Sequence, residues 1–461
     1  MVTAILAAHI AFAMTRPLPP EVEVKAKAHI LDTVAAMVSG TRLAAGLKAI
    51  AYARATAGKP ECQIIGAPVR TGLVDAAMLN GMLAHADETD DSHAPSLTHP
   101  GCAVVPAALA AGELRRASGR DVLRAVVAGY DVGTRLSMAL GGEEFFKQHH
   151  SSHALGGLFG AAAAAGTLFG LGQDQCACLL GYAVQTASGN ASWRRDPDHI
   201  EKAFDFGGMP AMNGTLAAHM VAHGFTGVRD ALEGVPGLFS AFPKTCDPAL
   251  AVKDLGVEFE IMRTAIKKWC VGSPIQAALD ALEMLMADHG VRAEGLREIE
   301  VLLPSTSARV VDDRAMPDVN LQHQLAMMLV DGTVTFASTH DHDRMRDPAV
   351  LARKALIRLT PCDDAEFQAF PRQAILRASL LDGRRLTQRV RHVRGTPGNP
   401  MTQEEIVAKA RDLMVPILGV SGTEATIGRI LDLEREESLE ALLSQLGRTA
   451  AVGEEVGHVR R

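Results

Sequence analysis

Ile266-Lys267-Lys268-Trp269-Cys270-Val271-Gly272-Ser273-Pro274 is the stretch at which this 461-residue sequence changes texture. Upstream, from Pro20 to about Leu250, apolar residues recur at helical spacing nearly throughout. Val24, Ala28, Leu31, Ala35 and Val38 fall three or four apart until Gly40 stops the run. Val74 to His85, Cys102 to Arg116, Asp121 to Leu140, Gly160 to Phe169 and Asn213 to Ala222 carry the same one-sided pattern, and Ser118-Gly119-Arg120-Asp121 has capping-box chemistry. Downstream of Lys267, strand-like runs stand at Glu298 to Leu303, Thr333 to Ala337 and Leu356 to Leu359. Gln373 to Leu381 alternates, turns at Asp382-Gly383 and returns as Arg384 to Val393, which predicts a hairpin. Past the break at Gly395 to Pro400, Thr402-Gln403-Glu404-Glu405 opens another helix. The fold is therefore read as mainly α: a large helical domain built from both chain ends, residues 1–260 and 401–461, with a smaller α+β lid domain inserted over 261–400.

Composition narrows the function classes. Aromatic residues make up only 4% of a chain that is 48% hydrophobic, so the core must rest on small Ala and Gly residues that let helices approach closely. A net charge of -7 with dispersed Lys and Arg argues against nucleic acid as a partner, while a few local cations suffice for a small polyanion. The apolar run Met1 to Met14 lacks a basic lead and continues into Thr15-Arg16-Pro17, so it reads as a first helix rather than a cleaved signal. No stretch reaches the ~18 uninterrupted apolar residues of a spanning helix, and a cytoplasmic protein without a membrane partner is expected. The seven cysteines are scattered without a CxxC pair, which reads as reduced thiols rather than a zinc ribbon or iron-sulfur set.

Four segments could carry chemistry. The first, His85-Ala86-Asp87-Glu88-Thr89-Asp90-Asp91-Ser92-His93 with Thr98-His99-Pro100, lies between two small-residue helices. It is read as an acid-base loop, against the plainer alternatives of a solvated acidic loop and a metal site whose spacing matches no familiar pattern. The second is Gln148-His149-His150-Ser151-Ser152-His153 before a glycine-alanine run. It lacks the spacing of a dinucleotide loop and suits a helix start. The third, Trp193-Arg194-Arg195 through Lys202 to Gly207-Gly208, could grip carboxylates or form surface ion pairs. The fourth is the Lys267-Lys268 stretch itself, where a lysine at a domain junction can reach a cleft or simply be solvated.

Taken in order, these segments resemble the MmgE/PrpD family. The resemblance runs from Ala26-Lys27 and Leu31-Asp32-Thr33 through Asn80-Gly81, Ala84-His85, Asp90-Asp91, His99-Pro100 and Gly156 to Ala165. It continues through Asn213-Gly214, His223-Gly224-Phe225-Thr226-Gly227 and Ile266-Lys267 to Gly395 to Pro400. It implies a helical domain from both chain ends with an α+β lid, a site between them, a homodimer, and no metal or organic cofactor. It also implies catalytic roles for His99, Lys202 and Lys267, with Asp91 on the family's Asp-Asp pair, and for His150 or His153 as the second histidine. Glu88 and Ser92 stand where the family has Asp and Thr, and Asn320-Leu321-Gln322-His323 departs from the lid motif; Glu88, Ser92, Arg194 and His323 are the expected substrate contacts.

The expected chemistry is cofactor-independent. Lys202, Lys267 and Arg194 would hold the carboxylates of a small di- or tricarboxylic acid and make the neighbouring C-H acidic. His99 or a histidine of 149–153 would move the proton, with Asp91 orienting it. Dehydration of a 2-methylcitrate-like acid is the first expectation, with epimerisation or decarboxylation as alternatives and a non-catalytic metabolite-binding paralogue as the rival class.

Overall fold

A computed structural model describes residues 1–242 and 246–448, the side chain of Gln368 excepted. The chain folds as two compact units: Met1–Ala86, Asp90–Thr264 and Ile406 onward form the first, and Asp87–Thr89 with Ala265–Glu405 the second.

The first unit is helical. Its elements in chain order are α1 (Val2–Phe12), α2 (Pro20–Gly40), α3 (Ala44–Thr56), a two-residue ribbon of β1 (Cys62–Gln63) and β2 (Arg70–Thr71), α4 (Leu73–Ala84), α5 (Gly101–Arg115) and α6 (Gly119–Ala139). There follow α7 (Gly142–Lys147), α8 (Ser152–Leu168), α9 (Gln173–Gln185), α10 (Ile200–Ala203), α11 (Met209–Ala222) and α12 (Leu238–Ala241). Local signals explain several ends. Pro20 opens α2 with Glu21 and Glu23 in its first turn, where the helix dipole favours negative charge. Ser118 caps α6 by accepting the Asp121 N-H at 3.2 Å, as its motif predicts. Because the buried faces are made of Ala and Gly, helix axes come close: a Cβ on Gly133 of α6 would lie 2.3 Å from the Gly156 carbonyl of α8. Ala161 to Ala165 of α8 are wholly buried.

The chain's late residues complete this unit through α19 (Gln403–Leu431), which breaks at Gly419 with φ 68°, and α20 (Glu440–Leu446). Lys409 of α19 reaches Asp32 of α2 at 2.6 Å, both side chains nearly inaccessible. Burial lifts the Asp32 carboxyl to about 6 even though Lys409 opposes the shift. Met1 to Met14 folds as α1 and one further turn, as expected. Among the described residues no single helix is long and apolar enough to cross a membrane.

The second unit contains α13 (Gln276–His289), β3 (Leu296–Leu303), α14 (Ser305–Val311), α15 (Leu321–Asp331), α16 (Phe336–Thr339), α17 (Pro348–Lys354), β4 (Ile357–Pro361), α18 (Ala365–Ala369), β5 (Ala374–Leu380) and β6 (Arg385–Val390). Its strands lie in the order β4-β3-β5-β6, parallel between β3 and β4 and antiparallel elsewhere. β5 buries alternate residues, which is the periodicity that predicts the hairpin. Leu279, Leu282 and Leu325 from the helices pack with Ile299, Val301 and Leu376 from the sheet in one apolar core. Thr333 to Ala337 is not a strand. Thr335 accepts the Ser338 N-H at 3.2 Å while Ser338 accepts the Thr335 N-H at 2.9 Å, a reciprocal cap that starts α16 despite the β-branched run before it.

Candidate active site

Residues 85–100 join the C-terminus of α4 to the N-terminus of α5. The solvated reading of this acidic loop is wrong: His85, Asp87, Glu88, Thr89, Asp90, Asp91 and His93 are all buried. Seven polar residues out of water require internal partners, which come from the loop itself and from the elements packed against it.

Asp90 is wholly buried and shared by two imidazoles. Its Oδ2 lies 2.9 Å from Nδ1 of His85, the C-cap of α4, and its Oδ1 lies 3.0 Å from Nδ1 of His99, which precedes α5. Burial alone would raise this carboxyl, yet the charges and hydrogen bonds of His85 and His99 hold it well below the usual range.

Asp91, expected to orient the catalytic histidine, is engaged elsewhere. Its Oδ2 accepts from Tyr130 at 2.6 Å and lies 2.8 Å from His29 Nδ1, while Oδ1 accepts the Gly101 N-H at 3.0 Å. Asp91 thus ties the start of α5 to α2 and α6, and burial followed by Asp91 pushes the Tyr130 phenol well above its usual value. The carboxylate that contacts His99 is its neighbour, one residue earlier in the chain.

The second histidine segment resolves in the same geometry. Ser151 caps α8, accepting the Ala154 N-H at 3.2 Å and donating to Asp205 Oδ2 at 2.5 Å, so His153 in the first turn faces the His99 ring with centroids 5.2 Å apart. His150 instead stacks on Phe145 at 4.6 Å and meets Phe242 edge-on. Of the two candidates, His153 belongs to the cluster and His150 to an aromatic contact apart from it.

Phe206 forms the apolar wall. It stacks on His153 at 3.7 Å and on His85 at 4.3 Å and meets Trp193 edge-on at 4.7 Å. It sits in a π-helical turn, residues 204–208, running from α10 into α11. That turn lies against α4 backbone to backbone, since a Cβ on Gly207 would stand 2.1 Å from the Gly81 carbonyl and one on Gly81 would stand 2.4 Å from that of Gly207. Lys202 on α10 brings its ammonium within 5.2 Å of the Phe206 ring centre and 5.4 Å of Trp193. Arg194 lies exposed with its guanidinium 4.0 Å over Phe146. Burial, then the nearby charges of His99, His85 and Lys202, push His153 well below the ordinary imidazole range and keep it neutral. Nε2 of His85, Nδ1 of His153 and Nε1 of Trp193 are buried with no hydrogen-bond partner among the described residues.

The remaining expected residues stand as follows. Ser92 is half-buried in the loop. Glu88 and Lys267 belong to the second unit, where the buried Lys267 ammonium donates to the Glu88 carbonyl at 2.6 Å and lies 3.9 Å from its carboxylate. In the same unit His340 grips Asp87 at 3.1 Å. His323 is buried in the first turn of α15, its backbone N-H bonded to the Asn320 cap, and burial takes its imidazole down to about 4.

Donor atoms of His85, Asp90 and His99 lie within 4.8 Å of one another, a geometry that can hold a cation. Both imidazoles, however, already meet Asp90 through Nδ1, so an ion there would have to replace two hydrogen bonds. The donor set fits a proton network better than a metal shell.

An ionised aspartate between two imidazoles, a neutral third imidazole and a nearby ammonium are the parts of a general acid-base site for an anionic ligand. The MmgE/PrpD N-terminal domain matches residues 4–251 and the MmgE/PrpD C-terminal domain residues 269–434, so the chain belongs to the MmgE/PrpD family. Members of this family are enzymes, dehydratases and decarboxylases among them. The chain is 26% identical to a cis-aconitate decarboxylase of Aspergillus terreus, covering 94% of this chain and 93% of that protein. It is 27% identical to the cis-aconitate decarboxylase of Homo sapiens over 92% of this chain and 89% of that one. A cis-aconitate decarboxylase-like protein of Aspergillus oryzae is 26% identical over 93% of each.

His85, Asp90, Trp193 and Phe206 were not among the expected site residues. The signal for the first two was their placement, a histidine closing one helix and an aspartate five residues on in a loop too polar to be buried unpaired. The signal for Phe206 was the Gly207-Gly208 pair beside it.

Proposed function

We propose that the chain is a lyase that transfers a proton beside a carboxylate of a small di- or tricarboxylic acid, with His99 as the acid-base group and Lys202 as the cation for a substrate carboxylate. The observation that carries this reading is the 3.0 Å contact of His99 with the buried, ionised Asp90. A carboxylate on Nδ1 leaves Nε2 as the basic nitrogen of the ring and stabilises the imidazolium when a proton arrives. His153, neutral, offers a hydrogen bond rather than a charge, and the buried polar atoms of His153 and Trp193 suit substrate oxygens, because leaving such groups unpaired costs about 1–3 kcal/mol each.

The curated relatives favour decarboxylation of a cis-aconitate-like acid. In that reaction the C-C bond to a carboxylate breaks, carbon dioxide leaves, and the electron pair left on carbon takes the His99 imidazolium proton. Dehydration of a 2-methylcitrate-like acid, the expectation from the motif resemblance, is the second reading. There His99 removes the proton next to the carboxylate, the pair forms the double bond, and hydroxide departs as water after protonation. Both reactions use His99 on a carbon beside a carboxylate, giving a proton in the first and taking one in the second, and they differ in product.

Incubation with cis-aconitate and with 2-methylcitrate in heavy water, followed by proton NMR, tests the reading. Turnover of one acid is expected, with deuterium on the protonated carbon of a decarboxylation product or loss of the proton signal next to the carboxylate on dehydration, and His99→Gln lowers the rate by roughly 100-fold or more. Turnover at the parent rate in His99→Gln removes His99 from the role, and turnover of neither acid removes these substrates.

A further inference from the structure

The most consequential unassigned geometry is the carboxylate held by two rings. We propose that His85, Asp90 and His99 act as one positioning unit, in which Asp90 fixes the tautomer of His99 and His85 holds Asp90 ionised and oriented for that task. This assignment rests on the acid-base role of His99 given above and adds two residues to it.

What a carboxyl group can donate decides the state of the rings. Ionised, it only accepts, so both Nδ1 atoms at 2.9 and 3.0 Å carry hydrogen; protonated, it would donate to one ring and accept from the other, and the ring it donates to would carry its hydrogen on Nε2. An imidazole on each oxygen favours the ionised form, in line with a carboxyl held well below its usual range. Each ring then carries hydrogen on Nδ1, and the nitrogen of His99 that gains or loses a proton is Nε2.

His85 cannot serve as the proton carrier itself. Its Nδ1 is spent on Asp90, its Nε2 is buried with no partner among the described residues, and its face is covered by Phe206 at 4.3 Å. It occupies the second oxygen of Asp90, which leaves one oxygen for His99 and sets the plane in which that ring lies. Its place at the C-cap of α4, like that of His99 one residue before the N-cap of α5, hangs the unit on two helix ends rather than on a loose loop. Asp90 and His85 are therefore positioning residues; neither is argued to touch the substrate.

The test uses the full chain labelled with 15N-histidine, its ring resonances identified by loss in His85→Asn and His99→Gln. The parent is expected to show both rings protonated at Nδ1. Asp90→Asn offers one acceptor and one amide donor, so one ring must move its proton to Nε2, and kcat should fall by roughly 100-fold while KM changes less than about threefold. His85→Asn, whose amide can replace the Nδ1-H donor, should keep about tenfold more kcat than His85→Leu. An Nε2-H tautomer on parent His99, kcat of Asp90→Asn within tenfold of the parent, or equal activity of the two His85 variants would overturn the proposal. The tautomer measurement needs no substrate. If neither acid is turned over, those two substrates are removed while the state of the rings still decides the positioning claim.

Discussion

Asp205 shows how strongly one buried carboxyl can couple this protein to pH. It is nearly inaccessible, its carboxylate accepts from Ser151 at 2.5 Å, and burial, reinforced by Glu201, lifts it to about 7. A carboxyl whose folded value lies above its unfolded one adds stability in full below the unfolded value of about 4 and loses that contribution as pH rises through about 7. Asp205→Asn keeps an acceptor for Ser151 and has no proton to lose. The parent melting temperature should therefore fall relative to the variant between pH 5 and pH 8; parallel melting curves across that window would refute the assignment. Single-residue chemistry of this kind was only partly legible in the sequence. The histidine and aspartate letters of the loop were plain, and His99 lies where the motif put it. The choice between Asp90 and Asp91 was not readable, because adjacent residues in an irregular loop point in directions that only the packed backbone decides. His153 was separable from His150 only once Ser151 had been seen to cap α8 and fix which residue enters the first turn.

At the level of elements, the small-residue contacts set the tolerances. Gly207→Ala would press a methyl group onto the Gly81 carbonyl at 2.1 Å, against backbone on both sides. The expected result is a loss of about 2 kcal/mol or more of stability by denaturant melting together with reduced turnover, since Phe206 and Lys202 hang on the same stretch. A Gly207→Ala protein with parent stability and parent rate would show that the turn can shift freely. Long helices and the β5-β6 hairpin were readable because period and turn chemistry agree over many residues. Thr333 to Ala337 misled because β-branched side chains announced a strand while the Thr335 and Ser338 hydroxyls, each bonding the other's N-H, made a helix start. The β1-β2 ribbon gave no warning, being two residues per strand.

For the molecule as a whole, the proposed chemistry runs on imidazole, carboxylate and ammonium as base, orientation and charge, without an ion. Exhaustive chelation should leave turnover of the accepted acid unchanged. Loss of activity that a divalent cation restores would instead turn the His85, Asp90 and His99 cluster into a metal shell. The mainly helical class was foreseeable from texture, because residues 20–250 keep one periodicity over a long run, whereas the parallel pairing of β3 with β4 leaves no mark in the sequence. One pair of charges gives the architecture a history as well as a shape. Asp32 meets Lys409 across 377 residues of chain, so that buried carboxylate finds its cation only when two distant stretches of the sequence come together. Closing so long a loop carries an entropic cost that local helix contacts do not, which places this ion pair among the slower contacts of the unit to form.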